Sequence, residues 1–310
     1  MDKAITAFLF PGQGSQTVGM LSALAARHES VRQIFAEASE ALGYDLWKVT
    51  QEGPEERLNQ TEITQPALLA ADVACYRVWR AAGGAAPAWM AGHSLGEYAA
   101  LVCADAMTLR EGAVLVANRG KLMQEAVPAG QGGMAAILGL EDEAVERLCA
   151  EQADGEVLTA VNYNAPGQVV IAGTKGAVDR AIAAARGAGA KRALPLAVSA
   201  PSHCALMKGA AERLGAHLAQ ITIRTPSIPV IHNCSVTAET DPEKIRSALI
   251  KQLYSPVRWV ETIRLLGGRG VQKMYECGPG KVLCGLNKRI VEIPCTSLGL
   301  PEDMTQALHA

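Results

Sequence analysis

An apolar run from Ile5 to Phe10 begins the hydrophobic pattern of the chain and reads as a first strand. Apolar residues then recur at helical spacing over Leu21 to Ala41 and again over Pro66 to Ala82. A second short run, Ala88-Trp89-Met90-Ala91, leads into Gly92-His93-Ser94-Leu95-Gly96, and a helix-like run, Glu97 to Val102, leads out. Thr108-Leu109-Arg110-Glu111 carries the capping-box pattern that opens a further helix. Short strands alternating with amphipathic helices predict an α/β fold with a mostly parallel sheet covered by helices.

The pattern changes at Pro128-Ala129-Gly130-Gln131-Gly132-Gly133, the best linker candidate in the chain. Beyond it, Met134 to Leu140 reads as a strand and Glu141 to Gln152 as a helix. Val157 to Asn162 and Gln168 to Ala172 read as strands around the Asn164-Ala165-Pro166-Gly167 turn, followed by a helix at Ala177 to Gly187 and a strand at Arg192 to Val198. That β-α-β-β-α-β order is the order of a ferredoxin-like unit. The chain then reads as rejoining the larger unit, with a helix to Gln220, a strand at Ile228 to Asn233 and a helix near Pro242 to Leu253. A final strand at Val271 to Tyr275 precedes the Gly278-Pro279-Gly280 turn. The expected division is a large α/β domain, residues 1–127 and 199–310, carrying an inserted ferredoxin-like subdomain, residues 128–198.

Composition narrows the function classes. Of 310 residues, 49% are apolar and 19% charged, an ordinary balance for a globular chain with a sizeable core; aromatics at 4% leave that core to Ala, Leu, Val and Ile. A net charge of −2, with no basic run longer than two residues, argues against nucleic acid as a partner. No apolar stretch reaches the length of a membrane span, and the start lacks a signal peptide's cleavage region, so a cytoplasmic protein is expected. The eight cysteines lie at 75, 103, 149, 204, 234, 277, 284 and 295 without a C-x-x-C pair. Neither zinc spacing nor a disulfide framework is present; most read as small buried hydrophobes, and no metal or cofactor is implied.

The candidate chemistry centres on Ser94. Strand, G-x-S-x-G, helix is the context of a nucleophile elbow, as in α/β-hydrolase-like folds. The glycines allow a sharp turn that exposes the serine Oγ, and the N-terminus of the following helix points N–H groups at a forming oxyanion. The bland alternative is a glycine-rich turn with an ordinary surface serine. A serine needs a general base. Of six histidines, His28 and His217 lie on polar helix faces, His309 in the tail, His93 inside the elbow with its side chain directed away from Ser94, and His232 in a strand as a satisfied core residue. His203 follows a strand in Pro201-Ser202-His203-Cys204. Ser202 as an N-cap would place it in the first turn of a helix, where the dipole keeps the ring neutral. The second glycine-rich segment, Phe10-Pro11-Gly12-Gln13-Gly14-Ser15-Gln16, follows the first strand. Thr17 stands where the third glycine of a dinucleotide fingerprint belongs, which favours an oxyanion-hole amide at Gln13, paired with the Leu95 amide, over phosphate binding.

These segments, with Asn118-Arg119-Gly120 and Pro201-Ser202-His203, together resemble the malonyl-CoA:acyl carrier protein transacylases, most closely the stand-alone bacterial enzymes of fatty acid synthesis. Asn162 to Gly173, Gln252 to Val257 and Glu276 to Leu283 are similar to later blocks of that family, so the resemblance spans almost the whole chain in order. It implies that Ser94 is the acyl-accepting nucleophile, His203 its base, Arg119 the ligand of the malonyl carboxylate, and the Gln13 and Leu95 amides the oxyanion hole. It further implies that the Gln252 backbone carbonyl orients the histidine, and that malonyl-CoA and an acidic acyl carrier protein are partners of a monomeric enzyme. Lys191-Arg192, Lys208, Lys281 and Lys288-Arg289 are the candidate docking cations. From residue statistics alone, Arg119 reads as a solvated helix-surface arginine.

Other classes fit less well. A serine hydrolase needs an acid between the serine and a late histidine. Asp105 follows the elbow's own helix, and Asp142, Asp154 and Asp179 fall in the inserted unit without strand-end placement. A non-catalytic carrier-binding subunit would be expected to have lost Ser94, His203 or Arg119, and all three stand. An acyltransferase of polyketide synthesis or malonate decarboxylation would use the same residues.

Overall fold

A computed structural model describes residues 4–198 and 200–309; the expected domain return at residue 199 falls outside the described residues. β1 (Thr6–Phe10) is followed by α1 (Ser22–Arg27), α2 (Ser30–Leu42), α3 (Leu46–Glu52), α4 (Glu55–Leu58) and α5 (Thr61–Ala81). β2 (Trp89–Gly92), α6 (Gly96–Cys103) and α7 (Leu109–Ala126) come next. The helical stretch expected over Leu21 to Ala41 is two helices. His28 is extended at φ −134°, and the break lets Leu24 on α1 and Val31, Ile34 and Phe35 on α2 enter one core. α5 begins five residues before Pro66 and runs through it, although proline removes a helix hydrogen bond. Burial along most of its length, against α7 and α2, overrides that local preference.

The chain then forms β3 (Gly132–Leu138), α8 (Asp142–Ala153), β4 (Leu158–Ala165), β5 (Gln168–Thr174), α9 (Lys175–Ala185) and β6 (Arg192–Pro195). It continues through α10 (Lys208–Leu218), β7 (Val230–Ile231), α11 (Pro242–Gln252), α12 (Trp259–Gly268), β8 (Lys273–Glu276), α13 (Val282–Asn287), β9 (Cys295–Ser297) and α14 (Pro301–Leu308). β8 is therefore not the last strand. β9 adds a parallel edge beyond it, too short at three residues to show alternation, and α12, with Trp259, Ile263 and Leu266 buried at helical spacing, is a further helix beyond those the pattern predicts.

The molecule is mixed α/β, with a parallel sheet ordered β7-β2-β1-β8-β9 and a separate antiparallel sheet ordered β4-β5-β3-β6. In β1 both faces are apolar: Phe8 and Phe10 pack among α2, α5 and α6, while Ala7 and Leu9 face Trp259 and Ile263. A parallel strand covered on both sides needs this continuous apolar run. In the antiparallel sheet alternation separates two faces. Ala135, Ile137, Val169 and Ile171 pack on α8 and α9, and Met134, Val170 and Ala172 turn the other way, toward Cys204 and Leu206.

Candidate active site

β1 and β2 lie side by side in parallel, with Phe10 paired to Gly92, so the loops leaving their C-terminal ends emerge together. One loop carries Gln13 and the other Ser94. Their approach requires glycine: a Cβ on Gly12 would stand 2.5 Å from the His93 carbonyl oxygen, and one on Gly92 would stand 1.8 Å from the Gly96 carbonyl carbon. Between them Ser94 is held at φ 53°, a left-handed conformation uncommon outside glycine. The surroundings over-determine it. Asn233 Oδ1 accepts from the Ser94 amide at 2.7 Å, Asn233 Nδ2 donates to the Gly92 carbonyl at 2.6 Å, and Gln252 Nε2 donates to the Ser94 carbonyl at 2.9 Å.

Ser94 Oγ lies 2.7 Å from His203 Nε2. The histidine is not in the first turn of a helix. It sits at φ 64° ahead of a short 3₁₀ turn at Ala205–Met207, and Ser202 does not cap a helix. Its partners are the free carbonyls at the C-terminus of α11: the His203 amide donates to Leu253 O at 2.9 Å, and Nδ1–H donates to Gln252 O at 2.8 Å. That bond leaves the Nε2 lone pair to accept the serine proton. The ring is neutral because burial, with the Arg119 charge adding to it, lowers its pKa from 6.5 to about 3, against the opposing pull of the Gln252 carbonyl.

Arg119 comes from α7 and is 1% exposed, not a surface residue. Gly120 beside it lets α7 press on the start of α5, since a Cβ there would meet Thr61 O at 2.6 Å. Nη1 donates to Gln65 Oε1 at 2.8 Å, and Nη2 donates to Ser94 Oγ at 3.2 Å and Gln252 Oε1 at 3.0 Å; the guanidinium carbon stands 5.3 Å from the Tyr98 ring centroid. Among the described residues it forms no salt bridge, and burial lowers its pKa. Buried cations are ordinarily paired with anions. This one is aimed at Ser94 Oγ, and its hydrogen-bond partners are carbonyl and hydroxyl oxygens. The nearby carboxylate, Glu97, is fully buried and engaged elsewhere: His232 Nδ1 at 2.7 Å, the Asn233 amide at 2.9 Å and Gln252 Nε2 at 2.9 Å.

Gln13 and Leu95 line the same cleft as Ser94, Arg119 and His203, a space of about 760 Å³ counted to its open mouth. Neither the Gln13 nor the Leu95 amide donates to an acceptor among the described residues. The antiparallel sheet supplies the opposite wall through Met134, Val170, Asn162 and Asn164. An irregularity in the β4–β5 register between Ala160 and Asn162 brings the asparagines to the cleft. His93 also lines the cleft and gives Nε2 to Asn164 Oδ1 at 2.7 Å; burial lowers its pKa. None of Asp105, Asp142, Asp154 or Asp179 lines it. All six expected residues, Gln13, Ser94, Leu95, Arg119, His203 and Gln252, thus meet in one place. Glu97, the first residue of the helical run after Gly96, supports them, as do Gln65 and Asn233, which belong to no motif and are marked only by their burial as polar residues.

A serine–histidine pair beside amide donors is the constellation of covalent acyl transfer. The chain belongs to the acyl transferase family, whose domain matches residues 7–277. More narrowly, it is 58% identical over 304 residues to the malonyl CoA-acyl carrier protein transacylase of Escherichia coli K12, covering 98% of each chain. The solved malonyl CoA-acyl carrier protein transacylase of Coxiella burnetii superposes with a TM-score of 0.98 at 50% identity, covering 99% of this chain and 97% of that one. A malonyl-transacylase solved in complex with a holo type II PKS acyl-carrier protein superposes equally well, TM-score 0.98 at 54% identity, covering 99% of each chain.

Proposed function

We propose that this chain moves the malonyl group from malonyl-CoA to the phosphopantetheine thiol of an acyl carrier protein through a malonyl-Ser94 intermediate, supplying fatty acid synthesis. The observation that carries this reading is the buried Arg119 guanidinium, without a salt bridge among the described residues, whose Nη2 lies 3.2 Å from Ser94 Oγ. It is a place for a carboxylate attached to the acyl group under attack. Arginine's planar fork suits a carboxylate bidentately, and acetyl has none to offer.

Ser94 Oγ attacks the thioester carbonyl while His203 Nε2 takes its proton. The Gln13 and Leu95 amides receive the oxyanion. Collapse breaks the C–S bond, and His203 returns the proton to the departing CoA thiolate. The carrier thiol then gives its proton to His203 and attacks the malonyl ester, restoring Ser94. The Gln252 carbonyl holds the histidine tautomer throughout, in the position where a hydrolase triad has a carboxylate. The division into a hydrolase-like domain, 1–127 and 199–310, and a ferredoxin-like subdomain, 128–198, rests on the two sheets and their separate cores. The strand order β4-β5-β3-β6, with α8 and α9 on one face, supports the ferredoxin-like part. Each step is complete with thioester, side chains and amides, so no cofactor is needed, and the enzyme acts in the cytoplasm as a monomer. The acidic carrier meets Lys191, Arg192, Lys208 and Lys288, all exposed and outside any ion pair among the described residues; Lys281 pairs with Asp303 and Arg289 binds Gln168 and Pro166.

Intact-mass measurement after mixing with malonyl-CoA tests this directly. A malonyl adduct should form, persist in water, leave on adding holo-carrier, and be absent in Ser94→Ala. Rapid loss to water without carrier would instead make the protein a thioesterase.

A further inference from the structure

We propose that Cys284 and Cys295 are an oxidation site, a thiol pair that closes to a disulfide by exchange with a low-molecular-weight disulfide. Their sulfurs lie 2.8 Å apart, the one thiol–thiol contact among the described residues. Both side chains are part-buried, as is that of Cys234, whereas Cys75, Cys103, Cys149, Cys204 and Cys277 are buried, so a small reagent reaches both members of this pair.

Two features hold the sulfurs in place. Glu276, at the end of β8, accepts the Leu283 amide at 3.0 Å and the Cys284 amide at 2.8 Å, which fixes the first turn of α13. Cys295 opens β9 opposite Met274 of the same β8 strand. Both cysteines are thus referenced to one strand, and a disulfide forms across them without moving the sheet. The Cys295 sulfur beside it, with burial and Glu276 adding to the effect, pushes the Cys284 thiol up.

The Cys295 thiolate attacks one sulfur of the reagent disulfide and expels a thiolate, leaving a mixed disulfide on Cys295. Cys284 then gives up its proton and attacks the Cys295 sulfur, expelling the second reagent thiolate. Two protein S–H bonds and one reagent S–S bond are lost; one protein S–S and two reagent S–H bonds are gained. The protein loses two electrons and the reagent accepts them. Neither cysteine lines the Ser94 cleft, so the cross-link restrains the α13–β9 edge and leaves transfer alone.

Incubating the native full chain with excess oxidised glutathione, then alkylating and mapping peptides, tests the site. The expected result is a loss of two hydrogens, a Cys284–Cys295 cross-linked peptide, a midpoint of thermal unfolding raised by roughly 3–8 °C, and an unchanged malonyl adduct on Ser94. Cys295→Ser should show neither cross-link nor midpoint rise after the same treatment. A glutathione adduct that persists on either residue, two thiols still free after treatment, or a cross-link that forms only in denaturant would overturn the proposal.

Discussion

Replacing Arg119 by alanine separates carboxylate recognition from the chemistry common to all acyl groups. The side chain makes three hydrogen bonds in the free protein, to Gln65 Oε1, Gln252 Oε1 and Ser94 Oγ. Only the bond to Ser94 touches a reacting atom, so its loss affects malonyl and acetyl donors alike, by about 1 kcal/mol or roughly fivefold. A malonyl carboxylate adds two charge-assisted bonds worth about 1.5–2 kcal/mol each, which acetyl cannot make. At about 1.4 kcal/mol per tenfold, malonyl transfer should therefore fall by a further factor of roughly 100–1000 in kcat/KM. The measurement is kcat/KM for malonyl-CoA and acetyl-CoA with one carrier, wild type against Arg119→Ala, with circular dichroism to confirm folding. Equal losses for the two donors would show that the buried guanidinium supports the elbow and does not read the acyl group.

Two further perturbations follow from the same geometry. His203 has a pKa lowered from 6.5 to about 3, so kcat/KM should show no acid limb near 6.5; an inflection there would refute the burial account of its neutrality. The sign for stability follows: below pH 6.5 the unfolded imidazole binds a proton that the folded one rejects, so this contribution is present above 6.5 and lost as pH falls toward about 3, by about 1.4 kcal/mol per pH unit. Wild type should thus lose its stability advantage over His203→Gln across that window, read by urea unfolding. Gly92→Ala would place a methyl 1.8 Å from the Gly96 carbonyl carbon and 2.2 Å from the Glu97 nitrogen, both backbone atoms that cannot step aside. A loss above about 4 kcal/mol, or no soluble protein, is expected; an unfolding midpoint close to wild type would contradict the packing described for the elbow.

The sequence alone determined what depends on local spacing. The strand–turn–helix around Ser94, the Thr108 capping box and the strand and helix order of residues 132–195 are set by near neighbours, and these are found where the pattern puts them. Joint resemblance, not any single segment, singled out Arg119 and Gln252, because an arginine on a helix carries no local sign of burial. What tertiary structure decided is how distant parts meet. The His203 ring is held by the Gln252 carbonyl at the C-terminus of α11, 49 positions away, and not by a helix beginning at its own residue. Arg119 is buried because α5, α6 and the elbow close over α7. Glu97, Asn233 and Gln65 hold the site through side-chain partners 54 to 155 positions distant, as with Gln65 to Arg119 and Glu97 to Gln252. Periodicity reports which face of an element is apolar; it holds no information about which polar group from elsewhere will satisfy a buried one. That matching is made by packing, and packing leaves Ser94 between the neutral His203 ring and a guanidinium with no salt bridge among the described residues.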